Sequence, residues 1–360
     1  MSAIKIGIVG IGSISGIYLD NISKVFEEIE VIGVCDLIKE RAENAVKSYN
    51  IPKLYENMEE LFADPEVDIV LNLTRPGQHF NVSMSALKAG KHVYSEKPLG
   101  ASLEEGTKLT EYAKEHGLLI GGAPDTFLSA GIQTCRKLIE DGYIGTPVGA
   151  AGFMLSRGTE AWHPDPEFFY KYGGGPMFDM GPYYLTALVS ILGSVAEVCA
   201  MTKKSFPKRQ ITSQPHNGDV IDVDVQTHVA GTMLFESGVI GTLFTTFDVH
   251  NNQPPRLEIY GSLGTLHLPD PNCFGGPVLL YRPEHGSTVE MPLLFPYAEN
   301  SRSVGLTDMA RAIKEKRLHR ANSGLTYHVL EIMESFLKSG ETKSYITIKS
   351  RAQKTPILEK

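Results

Sequence analysis

The sequence predicts an α/β chain, with a doubly wound parallel sheet at the N-terminal end and then an α+β domain with an open, mainly antiparallel sheet. Three observations predict it. Short apolar runs alternate with helical stretches over the first third of the chain. A glycine-rich turn joins the first apolar run to the first helical stretch. Beyond Gly121-Gly122 the alternation gives way to runs separated by tight turns. With 360 residues the chain exceeds what one hydrophobic core ordinarily serves, so two domains are expected, 1–122 and 123–360.

Strands are expected at 4–9, 31–35, 67–73, 91–94 and 118–120, where the residues form near-continuous apolar runs. Strands read this way when helices cover a parallel sheet on both faces. Helices are expected between them at 17–28, 39–49, 80–89 and 103–116, from the spacing of the apolar residues. In the second domain a helix is expected at 131–141. Strand 228–235 is expected to pair with 239–249 across Glu236-Ser237-Gly238, and 256–260 with 265–268 across Gly261-Ser262-Leu263-Gly264. Turns this short favour antiparallel neighbours. Two further helices are expected at 306–316 and 325–338.

Composition removes several classes of function. The net charge is -8 and no dense Lys/Arg run occurs, so a nucleic-acid or membrane partner is not expected. The four cysteines lie far apart without a CxxC pair, and the eleven histidines show neither HxxxH nor HExxH spacing, so no metal site is expected. GxSxG, the turn that carries a hydrolase serine, is absent. The start reads straight into a strand, no secretory pattern precedes it, and no apolar run approaches the ~20 residues of a spanning helix. A cytoplasmic location is expected.

The turn Gly10-Ile11-Gly12-Ser13-Ile14-Ser15-Gly16 sits between the first strand and the first helix. Glycines there let backbone approach a pyrophosphate, and the helix N-terminus offers unpaired N–H groups. Gly10, Gly12, Ser13 and Ile14 are therefore expected at a dinucleotide. Asp36 ends the second strand 20 residues beyond Gly16, near the usual spacing of about 20. A carboxylate there accepts from ribose hydroxyls and repels a 2′-phosphate. Leu37 follows it, so NAD is expected over NADP.

Three motifs in order, VDIVLNLTRPGQHF (67–80), AGKHVYSEKP (89–98) and GGGPMFDMGPYY (173–184), resemble the Gfo/Idh/MocA oxidoreductases, named for glucose–fructose oxidoreductase, inositol dehydrogenase and rhizopine catabolism. The resemblance spans essentially the whole chain. It implies a Rossmann domain and hydride transfer between a nicotinamide and a sugar-like or polyol hydroxyl. Separately, the open face of the second-domain sheet needs cover, so a homodimer or homotetramer is expected. The resemblance puts Lys97 of Glu96-Lys97-Pro98 beside the reacting hydroxyl, with a Lys–Pro bond that is often cis in the family. The chemistry needs such a group: oxidising C–OH requires the hydroxyl proton to leave, and a buried lysine near a positive ring can pass it on. The resemblance places Asp179 at the acid position of an Asp-x-Gly-x-His pattern. Tyr183 stands where many members have histidine, a departure shared by members like glucose–fructose oxidoreductase. Lys97 and Tyr183 are expected to share the acid/base work while Asp179 orients the substrate.

Thr74, Pro76 and His79 match the family's turn after the third long strand, with Arg75 inserted. Asn72 and Thr74 are expected to touch the coenzyme, His79 to start a helix beside it, and Glu96 to hydrogen-bond it or its surroundings. Asp125 either accepts two sugar hydroxyls or caps a turn. His163, beside the only tryptophan, Trp162, either serves a sugar ring or packs its loop. His328, on an apolar helical stretch, is expected in the core. Two other readings remain: a glycosidase that uses NAD by transient oxidation and elimination, and a non-catalytic NAD-sensing regulator.

Overall fold

The computed structural model describes residues 3–251, 253 and 256–359. The chain forms two units. The first holds Met1–Asp125 and Asn300–Tyr327, the second Thr126–Glu299 and His328–Lys360. The division expected at 122/123 thus differs from the structure in a physical respect: the chain returns to its first unit. That return depends on contacts between residues nearly two hundred positions apart, which local pattern does not encode.

In the first unit six strands form one parallel sheet: β1 (Ile4–Val9), β2 (Ile29–Cys35), β3 (Lys53–Leu54), β4 (Ile69–Asn72), β5 (His92–Ser95) and β6 (Ile120–Gly122). Their order is β3-β2-β1-β4-β5-β6. The order reverses between β1 and β4, and ligands bind outside the carboxyl ends of the strands at such a point. The core strands are apolar on both sides, with Ile6, Ile8, Val34, Ile69, Val70, Leu71 and Val93 all buried. The helices are α1 (Ser15–Lys24), α2 (Lys39–Tyr49), α3 (Met58–Ala63), α4 (His79–Lys88) and α5 (Leu103–Glu115). The first helix starts two residues before the expected 17 and ends four before the expected 28. Local chemistry explains other ends. Ser102 accepts from Glu105 N while Glu105 accepts from Ala101 N, a reciprocal cap on α5. Asn57 caps α3 by accepting from Glu60 N.

The returning segment lies along the edge strand of this sheet. Gly121 bridges Asn322, and Gly122 N donates to Ala321 O at 3.1 Å. Its helix, Val304–Glu315, ties back through Arg311 to Glu28.

The second unit contains α6 (Ala130–Glu140), β7 (Pro147–Leu155), α7 (Gly175–Leu192), β8 (Val195–Lys203), β9 (Lys208–Gln210), β10 (Val220–Asp222), β11 (His228–Phe235), β12 (Ile240–Thr246), β13 (Arg256–Gly261), β14 (Thr265–Leu268), β15 (Val278–Tyr281) and β16 (Thr288–Met291). With the first unit's Val304–Glu315 counted as α8, α9 (Ser323–Thr342) and β17 (Ile346–Thr347) follow. Nine strands form one sheet, β16-β15-β14-β13-β7-β12-β11-β8-β17. All pairs are antiparallel except β7 with β12. Both expected hairpins form, with Gly238 in the left-handed region at φ 86. One face of the sheet packs on helices. On the other, Ile240, Leu234 and Met201 are exposed, and Arg256, Phe153 and Phe244 form a cross-strand stack.

Candidate functional site

The turn after β1 requires glycine. Gly10 has φ +97, and a side chain there would meet Leu73 backbone at 2.9 Å. Over Gly12 the space is open, with no atom within 4 Å of where a Cβ would stand. α1 begins at Ser15, its N-cap Ile14 supplies no side-chain acceptor, and its first turn carries no acid. Its N-terminal N–H groups thus face no built-in anion, and the dipole favours a negative ligand there. Ser13 is exposed and Ile14 half-buried beside them. Asp36 closes the turn from β2: its carboxylate accepts from Ile11 N at 2.6 Å and from Ile38 N at 2.7 Å. Each oxygen retains capacity for a further donor, as ribose hydroxyls would require. These residues fit a dinucleotide.

The next strand ends carry Lys97, the group expected to do acid/base work. Lys97 is half-buried two residues beyond β5, and its bond to Pro98 is cis. Its backbone N donates to Glu96 Oε2 at 3.0 Å, while Glu96 Oε1 accepts from the Tyr18 hydroxyl at 2.7 Å. Burial, then Glu96 and Asp125, push the Tyr18 hydroxyl well above its ordinary pKa, so it stays a donor.

Asn72 departs from expectation. It is fully buried, and its side chain is spent within the protein. Its amide donates to His79 O and Ser83 Oγ; its oxygen accepts from Thr74 N and Thr74 Oγ1. Four bonds saturate the group, so Asn72 shapes the turn and does not reach a coenzyme with its side chain. Thr74 spends its hydroxyl proton in the same network and keeps its oxygen as an acceptor. His79 starts α4, as expected, and its ring lies between two carbonyls, with Nδ1 2.7 Å from Pro98 O and Nε2 2.8 Å from Thr74 O.

Asp125 also corrects the sugar-binding expectation. It is 1% exposed, and Oδ2 accepts from Ser303 N and Gly305 N at 2.9 and 3.1 Å. It therefore caps α8, 178 residues away, and is not offered to a substrate. Burial pushes its pKa up to about 6 despite those two donors.

In the second unit, Asp179 and Tyr183 lie one turn apart on one face of α7, where side chains four residues apart are neighbours. Tyr183 is buried and Asp179 half-buried. The sequence pattern predicts no helix here, because Pro176, Pro182 and four glycines (173–175, 181) break it. Pro176 occupies the first helical turn, where its missing N–H costs nothing. His163 lies on the preceding loop with its ring edge-to-face against Trp162, Phe168 and Phe169. Its Nδ1 accepts from Asp165 N at 3.0 Å, which leaves the ring proton on Nε2.

Residues 4–122 match the Gfo/Idh/MocA family, described as an oxidoreductase family with an NAD-binding Rossmann fold, and residues 132–267 match the Gfo/Idh/MocA C-terminal domain. The chain belongs to this family. It is an NAD-binding oxidoreductase. Among similar Gfo/Idh/MocA proteins, myo-inositol 2-dehydrogenase of Thermotoga maritima is 24% identical over 73% of this chain and 74% of its own. The 1,5-anhydro-D-fructose reductase of Ensifer adhaerens is 28% identical over 66% of this chain and 67% of its own. Levoglucosan dehydrogenase, solved with NADH and L-sorbose, superposes with a TM-score of 0.83 at 19% identity, covering 96% of this chain and 99% of that one.

Against this Gfo/Idh/MocA background, one cluster escaped the sequence entirely. Arg209, on β9, is buried and bonds Glu160 Oε1 through Nε at 2.7 Å and Asp248 Oδ1 at 3.0 Å. It also donates to the carbonyls of Arg157 and Phe247. Tyr170 donates to the other Glu160 oxygen, and Thr227 to the other Asp248 oxygen at 2.6 Å. The cluster anchors the loop that carries His163. Its members are scattered from 157 to 248, so no local motif announced it. His328, by contrast, is in the core as expected: Nε2 accepts from Val195 N, and burial lowers its pKa to about 4. No helix among the described residues is long and apolar enough to cross a membrane.

Proposed function

We propose that the chain is a dehydrogenase moving a hydride between a hydroxyl-bearing carbon of a sugar-like or polyol substrate and NAD. Lys97 and Tyr183 divide the acid/base work, and Asp179 orients the substrate. The observation that carries the reading is the placement of Lys97 at the carboxyl end of β5 in an NAD-binding sheet, on a turn braced by Glu96, Asn72 and His79. When bound, the nicotinamide supplies the hydride acceptor or donor. The protein's part is to hold the hydroxyl, take its proton and return it. The names of the relatives support the substrate class, since an inositol is a cyclic polyol and levoglucosan an anhydrosugar. Gly10, Gly12, Ser13 and Ile14 would hold the pyrophosphate. Asp36 would take the adenosine ribose and disfavour NADP. Glu96 would hold the Lys97 turn from behind, and His163 would border the substrate.

The open face of the nine-stranded sheet, with Met201 83% exposed, supports a homodimer or homotetramer. The cytoplasm suits the free thiols of Cys35, Cys135 and Cys199.

A panel of inositols, monosaccharides, anhydrosugars and aryl glycosides incubated with NAD⁺ tests the reading. NADH growth that Lys97→Met abolishes supports it. Tyr183→Phe should lower turnover by about 10²-fold or more with NADH affinity unchanged; equal turnover in both proteins sinks the tyrosine's role. Aglycone release without net NADH would mean the glycosidase chemistry, and tight NADH binding without turnover on any substrate would mean the regulator.

A further inference from the structure

His79 has no part in the chemistry above, yet its surroundings are unusual. The ring is buried, and both nitrogens meet carbonyl oxygens, Pro98 O at 2.7 Å and Thr74 O at 2.8 Å. A carbonyl oxygen only accepts. A neutral imidazole has one N–H and one lone pair, so in that form one contact sets lone pair against lone pair. Only the ring with a proton on each nitrogen donates to both. Thr74 belongs to the turn after β4, which Asn72 organises with four hydrogen bonds. Pro98 follows Lys97 directly. The ring therefore joins the rigid turn to the turn that carries the lysine.

We infer that His79 is a positioning residue for Lys97: its ring cross-braces the two turns, and its protonation decides whether the Lys97–Pro98 turn is held through both nitrogens or one. The part concerning turnover rests on the role proposed for Lys97; the bracing itself does not.

The charges around the ring pull in opposite directions. Burial lowers its pKa from the ordinary 6.5, whereas the two carbonyls and the Glu96 carboxylate raise it and Lys97 lowers it further. Arg75, next to Thr74, is exposed. On the neighbouring α5, Lys108, Glu111 and Glu115 line an open groove with Lys88 of α4. The second proton is thus taken up on the acid side of 6.5, and Glu96 is the counter-charge that assists it.

The test uses the full chain. A nitrogen-15 histidine spectrum, assigned through contacts to Pro98, should show His79 with both ring nitrogens protonated at the acid end and one at the alkaline end. Amine labelling of Lys97, read by mass spectrometry against pH, should break where His79 titrates. In His79→Gln that break should vanish and NADH affinity should hold. Turnover on a panel substrate should fall about 10²-fold, the scale of loss from a misplaced reacting group. The spectrum and the wild-type labelling stand even if the variant folds poorly. One protonated nitrogen at every pH at which the chain is folded, or a Lys97 labelling curve that ignores the His79 titration, would overturn the proposal. Failure of the Lys97 chemistry is separable: it would show as an active Lys97→Met chain while the wild-type spectrum and labelling curve stay as expected.

Discussion

The hydrogen bonds described for the turns after β4 and β5 in the first unit run through an amide with four hydrogen bonds, a ring between two carbonyls, and a backbone N–H that donates to the Glu96 carboxylate. The loop that carries His163 in the second unit is built instead around buried ions, with Arg209 between Glu160 and Asp248. The difference teaches how each brace responds to damage. Amide and carbonyl bonds are individually modest, and losing one leaves a neutral orphan. A buried ion pair is close to neutral in net worth while whole, but breaking it leaves an uncompensated charge.

The comparison can be broken by three measurements. Arg209→Met keeps the volume and strands Glu160 and Asp248. Urea unfolding should lose about 3–5 kcal/mol, the usual result of halving a buried pair. A loss below 1 kcal/mol would mean that the loop does not depend on its ions. Asp125 gives the next effect. Its folded pKa of about 6 stands above its ordinary 3.8. The folded chain therefore binds the proton more tightly, and the associated stability is complete below 3.8 and lost as pH rises through 6. That gap corresponds to about 3 kcal/mol. Between pH 4 and 7 the wild-type chain should lose stability relative to Asp125→Asn, which does not titrate there; parallel curves would refute the buried carboxylate. Asn72→Ala should cost the least, about 1–3 kcal/mol, by orphaning Ser83, Thr74 and the His79 carbonyl. If it costs more than Arg209→Met, the contrast between the two braces is reversed.

Much of this molecule could be read locally. β1, α2, β11 and β14 fall on their expected bounds, because alternation, apolar runs and turn glycines are properties of neighbouring residues. The dinucleotide turn was legible for the same reason: Gly10, Gly12 and Asp36 lie within one β–α–β unit. α7 was obscured because Pro182 and the surrounding glycines imitate a loop, and only packing overrides that weak preference.

The sequence by itself determined the strand–helix alternation, the glycine turn, the place of Asp36 at the end of β2 and the position of Lys97 after a strand. Tertiary structure alone decided that residues 300–327 rejoin the first unit, that β7 and β12 run parallel inside an otherwise antiparallel sheet, and that Asp125 serves a helix instead of a sugar. It also decided that Asn72 has no bond to spare and that Arg209 gathers two distant carboxylates. The physical reason is common to all of these. A side chain's chemistry is set by which donors, acceptors and charges surround it, and residues far apart in the chain become its surroundings only when the core packs.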